Sequence, residues 1–237
     1  MEISVIVPVF NEAGIAEDNL LRAVRYLERK FHGFEVIAAE DASTDGTEKV
    51  LEMMERKGYI RHMHFNRRIG KGAAIKEAVL ASKGKAVLVM DCDLPVSLDY
   101  IEDFVLMLKK YDIVTASRLM KGSKVKRPVK RSVASLMYNF LVRRLFRTHL
   151  MDHQCGFKVM RAKSIKKIIN GVEAKDYFWD TEMLIRAQRA GLKVKEVPVV
   201  WNDRKSSGSK ISVIRETERF GIKMMKLWLC LNKEKGA

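Results

Sequence analysis

Five short apolar runs, at 3–10, 34–39, 60–65, 86–90 and 113–116, each end in a polar turn and alternate with segments of helical spacing. That alternation constrains the fold more than any other feature. Strand–helix repeats of this length pair as parallel neighbours, with each helix crossing over a sheet face. The expected fold is α/β, a doubly wound and mostly parallel sheet flanked by helices. Asn11 is expected to cap a first helix in which Leu20, Leu21, Val24 and Leu27 recur. Further helices are expected from Thr47 to about residue 57, over 73–81 and over 98–108. Ligands of such sheets sit outside the carboxyl ends of the strands. Asn11, Glu12, Glu40, Asp41, Asn66, Asp91, Asp93, Ser117 and Arg118, each just after a run, should therefore share one rim.

The second half is less regular. Basic amphipathic helices are expected over 132–150 and 211–231, a helix over 179–190 ended by Gly191, and a strand over 193–201. No linker separates the halves. The expected division is a catalytic unit over 1–215, with halves at about 1–118 and 119–215, followed by an amphipathic helix and tail over 211–237. Three scattered cysteines without a CxxC pair exclude a zinc-finger or disulfide framework and suit a reducing compartment. The N-terminus lacks a basic segment before its apolar run, so no signal peptide is read there. No apolar run reaches the roughly 20 residues that span a bilayer.

The formal net charge of +16 calls for a polyanionic partner, and its distribution is more telling. Between Asp112 and Asp152 there is no acidic residue and there are ten basic ones, among them Arg118, Arg131, Arg143 and Arg144. A solvated face usually mixes signs.

Asp91 and Asp93 flank Cys92 directly after the fourth run. Two carboxylates on a turn there suit Mg²⁺ or Mn²⁺ bridging a diphosphate. Asp41, after the second run, suits hydrogen bonds from a base or ribose. GxGxxG and GxxxxGK[ST] are both absent, which excludes a dinucleotide fingerprint and a P-loop. Gly70, Lys71 and Gly72 offer backbone N–H groups and one cation to a phosphate, or form an ordinary helix start. His62, His64 and His149 show no ligand spacing and are read as packing or surface residues.

Taken in order, Pro8 to Glu12, Glu40 to Thr47, Asn66 with Gly70 to Gly72, Asp91 to Asp93, Ala116 to Arg118, Asp152 to Lys158, Trp179 to Glu182, and Trp201 to Arg204 with Gly208 to Ile211 resemble inverting glycosyltransferases of GT-A fold. The set is similar to the catalytic domain of dolichyl-phosphate (polyprenyl-phosphate) mannose and glucose synthases. The resemblance covers about residues 2–215. It implies a nucleoside pocket lined by Pro8, Phe10, Glu12 and Asp41, with Lys71 beside it. It implies a donor held by Asp91, Cys92 and Asp93, with Asp91 and Asp93 on Mg²⁺ or Mn²⁺. It places Arg118 on the sugar or acceptor phosphate, and Arg131, Arg204 and Lys210 on the diphosphate or acceptor phosphate. Asp93, Arg118, Arg131 and Arg204 are the implied catalytic set. Pro95 stands where such synthases often carry Gln, a departure that bears on metal ligation.

The reaction implied is hexose transfer from GDP-mannose or UDP-glucose to a polyprenyl phosphate, with inversion. Such an acceptor arrives ionised and needs positive charge rather than a base. The lipid acceptor implies docking on an anionic membrane at its cytoplasmic face, with helix 132–150 as the leading candidate and helix 211–231 as the second. A membrane-embedded partner is a further expectation. A hydroxyl acceptor is the nearest alternative, and Asp152 or Asp180 would then be the base. Otherwise Asp152 and Gln154 are expected to orient the cations, Asp180 and Glu182 to hold the acceptor side, and His153 is a weaker candidate for a phosphate contact. A non-catalytic GT-A domain is another alternative. Nucleic-acid binding rests on charge alone, without a recognisable motif, so no nucleic-acid partner is expected.

Overall fold

A computed structural model of the chain describes residues 1–202 and the helix Val213–Lys233, with the side chains of that helix from Phe220 onward. The elements run β1 (Ile3–Val9), α1 (Ala16–Lys30), β2 (Phe34–Glu40), α2 (Thr47–Arg56), β3 (Arg61–His64), α3 (Lys71–Ala81), β4 (Ala86–Val89), α4 (Tyr100–Met107) and β5 (Ile113–Ser117). Then follow β6 (Lys124–Lys126), α5 (Val129–Phe146), β7 (Lys158–Arg161), α6 (Ala162–Ile168), α7 (Trp179–Arg189), β8 (Val194–Pro198), β9 (Val200–Asn202) and α8 (Val213–Lys233).

Seven strands form one sheet in the order β3-β2-β1-β4-β7-β5-β8. All neighbours are parallel except β7, which runs antiparallel between β4 and β5. The strand order reverses direction between β1 and β4, so the crevice for a ligand opens between their carboxyl ends. Both halves of the chain contribute to this sheet, because β7 and β8 flank β5. Alternate residues face two apolar layers. Val5, Val7, Val36 and Leu88 pack with Leu20, Leu27, Leu51 and Phe104 of α1, α2 and α4. Ile6, Ile37, Val87 and Val89 pack with Ile75, Ile165 and Met183 of α3, α6 and α7. A third cluster joins Val142 of α5 and Ile185 of α7 to Met224, Leu227 and Leu231 of α8.

Three expectations are corrected. Asn11 does not cap α1: Ile15 holds the cap position, and Asn11 adopts φ 55° and accepts the Thr44 N–H at 2.8 Å. The strand expected over 193–201 is two strands in different sheets, because β8 pairs with β5 whereas β9 pairs with β6. The helix expected over 132–150 ends at Phe146, where Arg147 turns into the left-handed region.

α5 is built against the usual rule. Its buried positions are Ser135, Asn139 and Val142, while Val133, Leu136, Met137, Phe140 and Leu141 are exposed. Asn139 is buried because it is bonded, donating to Ser135 O and accepting from the His153 N–H.

Candidate active site

Two loops form one side of the crevice. The turn after β2 is stitched to the turn after β1: Asn11 N donates to Ser43 Oγ, Glu12 N to Thr47 Oγ1 and Ala13 N to Asp45 Oδ2, all within 2.9–3.1 Å. Asn11, Ala42 and Leu94 have positive φ, each just beyond a strand of the crevice. Such backbone is costly for non-glycine residues and gathers at working sites. Glu12 is held within this frame. Its carboxyl lies above its ordinary value, chiefly through burial and then through repulsion by Asp93, Asp45 and Asp91.

Asp41 is buried, and its carboxylate accepts the N–H groups of Ile69 (2.6 Å) and Gly70 (3.0 Å). The Arg68 guanidinium lies 3.5 Å from the centre of the Phe10 ring, with Nε 3.7 Å from Asp41. Arg68 thus fills the space between two residues expected to line a nucleoside pocket. No local pattern marks Arg68, because its role depends on the fold of the loop before α3.

Three backbone N–H groups at the glycine turn are already taken. The Gly70 N–H goes to Asp41, and the N–H groups of Gly72 and Ala73 go to Lys175 O (2.8 and 3.2 Å). Lys71 projects inward and ion-pairs with Asp91 (Nζ to Oδ1, 2.5 Å). Burial would neutralise this lysine, but Asp91 and Asp180 outweigh it and raise its pKa. Burial likewise pushes the Asp91 carboxyl up, and Lys71, Lys158 and Arg118 overcome it and hold the group below its ordinary value. A Cβ on Gly156 would lie 2.1 Å from Asp91 Oδ2, so only glycine lets this carboxylate seat. Gly156→Ala should therefore cost about 1–3 kcal/mol, read as a lower Tm.

Cys92 packs in the apolar core. It is 5% exposed within the core, and burial pushes its thiol up, so its contribution to a donor would come from the backbone. Pro95 and Val96 tie the same loop to β9: Asn202 N donates to Pro95 O at 2.9 Å, and Val96 bridges Trp201.

The other side of the crevice is cationic and braced by carboxylates. Arg118 binds Asp152 through Nε (2.7 Å) and Nη2 (2.8 Å), with its guanidinium 5.1 Å from the centre of the Trp201 ring. Burial opposes the charge on Asp152, but Arg118 prevails and brings its pKa down to about 2. Lys158 is fully buried and donates to Asp180 at 2.5 Å. Glu182 accepts the N–H groups of Glu173 and Ala174 and the Arg186 Nε–H, which braces the loop before α7. His153 is not placed for a phosphate. It is fully buried between Asn139 and Thr148, and burial lowers its pKa to about 4. Arg131 is exposed on the first turn of α5. Arg204 and Lys210 lie outside the described residues.

Glu12 feels the negative charges of Asp93 and Asp91, and the three carboxylates offer hard oxygen donors. Oxygen donors of this chemistry are the kind that Mg²⁺ or Mn²⁺ takes.

This sheet, with its carboxylates at the crevice between β1 and β4, defines a GT-A glycosyltransferase fold. Crystal structures of glucosyl-3-phosphoglycerate synthase from Mycobacterium tuberculosis share it. The complex with Mn²⁺, UDP and glucosyl-3-phosphoglycerate superposes with a TM-score of 0.69 at 18% identity, over 97% of this chain and 79% of that one. More narrowly, the chain belongs to glycosyl transferase family 2, whose model matches residues 4–169. It is 37% identical over 233 residues to glycosyltransferase AglD of Haloferax volcanii, covering 96% of this chain and 37% of that protein. It is 32% identical over 227 residues to dolichyl-phosphate beta-glucosyltransferase ALG5D of Trichomonas vaginalis, covering 89% of this chain and 68% of that protein. The chain thus spans little more than a third of AglD and about two thirds of the dolichyl-phosphate relative.

Proposed function

We propose that the chain transfers glucose from UDP-glucose to a polyprenyl phosphate of the dolichyl type at a membrane surface, with inversion. The observation that carries the acceptor class is the state of Asp152 and Asp180. Both carboxylates that a hydroxyl acceptor would need as a base are committed to buried cations, Arg118 and Lys158. A carboxylate with a pKa of about 2 is a poor base at neutral pH. A phosphate acceptor needs no base. The names of the dolichyl-phosphate relatives favour this acceptor and favour glucose over mannose.

In this reading Phe10, Glu12 and Asp41 hold the nucleoside, with Arg68 moving aside or stacking on the base. Asp91 and Asp93 would hold Mg²⁺ or Mn²⁺, which when bound offsets negative charge on the leaving diphosphate. Lys71 and Lys158 keep Asp91 ionised. Arg118, fixed by Asp152, keeps positive charge on the acceptor side, and Arg131, Arg204 and Lys210 are proposed to add to it. Proximity and charge then do most of the catalysis.

The exposed apolar face of α5 supports membrane docking. Leu136, Met137, Phe140 and Leu141 lie on a helix that ends in Arg143 and Arg144, and a cleft beside them is lined by Phe140, Arg143, Arg144, Thr148 and His149. Ile222, Met225 and Leu229 of α8 are exposed as well. Among the described residues no helix is long and apolar enough to cross a membrane. Exchanging Phe140 and Leu136 for Asp should reduce sedimentation with anionic liposomes at least tenfold, since burying each side chain is worth about 1.5–3 kcal/mol.

The test of the reaction supplies labelled UDP-glucose or GDP-mannose, Mg²⁺ or Mn²⁺, and polyprenyl phosphate in liposomes. Label in the organic phase from UDP-glucose alone, abolished by EDTA, is the expected result. Transfer to a hydroxyl lipid but not to the phosphate would overturn the acceptor assignment.

A further inference from the structure

The β3 edge of the sheet carries a group of residues that the transfer reaction does not use. His62 and His64 are two apart on β3, so both imidazoles share one face. β3 pairs in parallel with β2, opposing His62 to Ala38 and His64 to Glu40, which brings Glu40 onto the same face. One ligand atom from each of Glu40, His62 and His64 lies within 4.8 Å of the other two. Glu40 is fully buried at the end of β2. Its Oε1 accepts the Ser43 N–H, which aims Oε2 at His64 Nδ1, 2.5 Å away.

A simple ion pair would account for Glu40 and His64 but not for His62. The Nε2 of His62 is buried and makes no hydrogen bond, while its backbone N–H donates to Glu55 at 2.7 Å. Burial pushes the His62 pKa down, against the pull of Glu40 and Glu55. Glu48 lies 3.6 Å from His64 Nε2. In a chain of net charge +16, α2 thus presents acidic groups to two histidines.

We propose that Glu40, His62 and His64 form a second metal site, of a chemistry different from that of the Asp91–Asp93 turn. Two imidazole nitrogens and one carboxylate select a borderline transition ion, Zn²⁺ foremost, over Mg²⁺ or Mn²⁺, with water completing a tetrahedral shell. The metal replaces the proton shared by His64 and Glu40 and satisfies His62 Nε2. It ties the edge strand β3 to β2 one residue before Asp41. The site does not depend on what reaction the chain performs.

Chelator-treated protein titrated with ZnCl₂ in a calorimeter tests this. One saturable equivalent is expected, retained in Asp93→Asn and weakened more than about a hundredfold in His62→Gln and in His64→Gln, since even outer-shell changes cost about 10–100-fold. Because either variant may fold poorly, NMR of the unaltered protein gives a second readout: stoichiometric Zn²⁺ should move the ring signals of His62 and His64 together. Absence of a saturable site, or a site lost in Asp93→Asn and kept in both histidine variants, would overturn the proposal. So would titration with no movement of those two rings.

Discussion

Asp93→Asn should lower glucosyl transfer by about a hundred- to a thousandfold, the range expected when one group that stabilises transition-state charge is removed. The same change should lower the pKa of Glu12, because Asp93 is the largest of the three charges that hold it up after burial. The sign of the pH effect follows. A carboxyl raised by folding favours the fold at pH below its ordinary value, and that contribution is lost as pH rises through the folded value. Without metal, the protein should therefore lose some stability as pH climbs above the usual glutamate range, and Asp93→Asn should lose less. Added Mn²⁺ should raise the Tm of the unaltered protein and raise that of Asp93→Asn less. Carboxyl-carbon NMR of Glu12 and melting curves with and without Mn²⁺ read these effects separately from activity. An unchanged Mn²⁺ response in Asp93→Asn would remove Asp93 from the metal site.

The strands read most firmly from the sequence are those whose cores are continuous apolar runs, such as 3–10 and 86–90. β7 escaped because it is four residues long and begins with Lys158, a cation whose burial depends on Asp180 of α7 and on the Cys155 carbonyl. Nothing local announces that pairing. β8 and β9 looked like one strand because the change of sheet around Val199 leaves the apolar alternation intact. The rim was legible for a physical reason: parallel strands deliver their next residues to one edge, and Glu12, Asp41, Asp91 and Arg118 are all such residues. What those groups bond to was not legible. The Gly70 turn reads equally as a phosphate cradle or a helix start, and only the fold shows that Asp41 and Lys175 accept the N–H groups of Gly70 and Gly72. His62 and His64 looked unremarkable because Glu40 reaches them from another strand. The burial of the Cys92 side chain was not legible either, because the residue between two rim carboxylates gives no local sign of packing into the core.

Asp152→Asn should destabilise the protein by about 3–5 kcal/mol, because it leaves the Arg118 guanidinium buried against a neutral partner. Oδ2 also accepts the Arg118 N–H and Oδ1 the Gln154 N–H, so an asparagine amide nitrogen faces one of these donors and that bond is lost with the charge, while the backbone N–H of residue 152 still donates to Glu196 at 2.8 Å. Its pKa falls from 3.8 to about 2 on folding, so its contribution is complete above the ordinary aspartate value and is lost as pH drops toward 2. That window corresponds to about 2 kcal/mol. Melting curves between pH 5 and 2 should show this loss in the unaltered protein and not in Asp152→Asn. Arg118→Met should recover part of the stability lost in Asp152→Asn, since apolar groups in place of a buried pair are often neutral. If Arg118 acts on the acceptor, Arg118→Met restores the fold and leaves transfer low. Restoration of both fold and transfer would reduce the pair to a structural brace and move the acceptor charge to the remaining arginines and lysines of the basic segment.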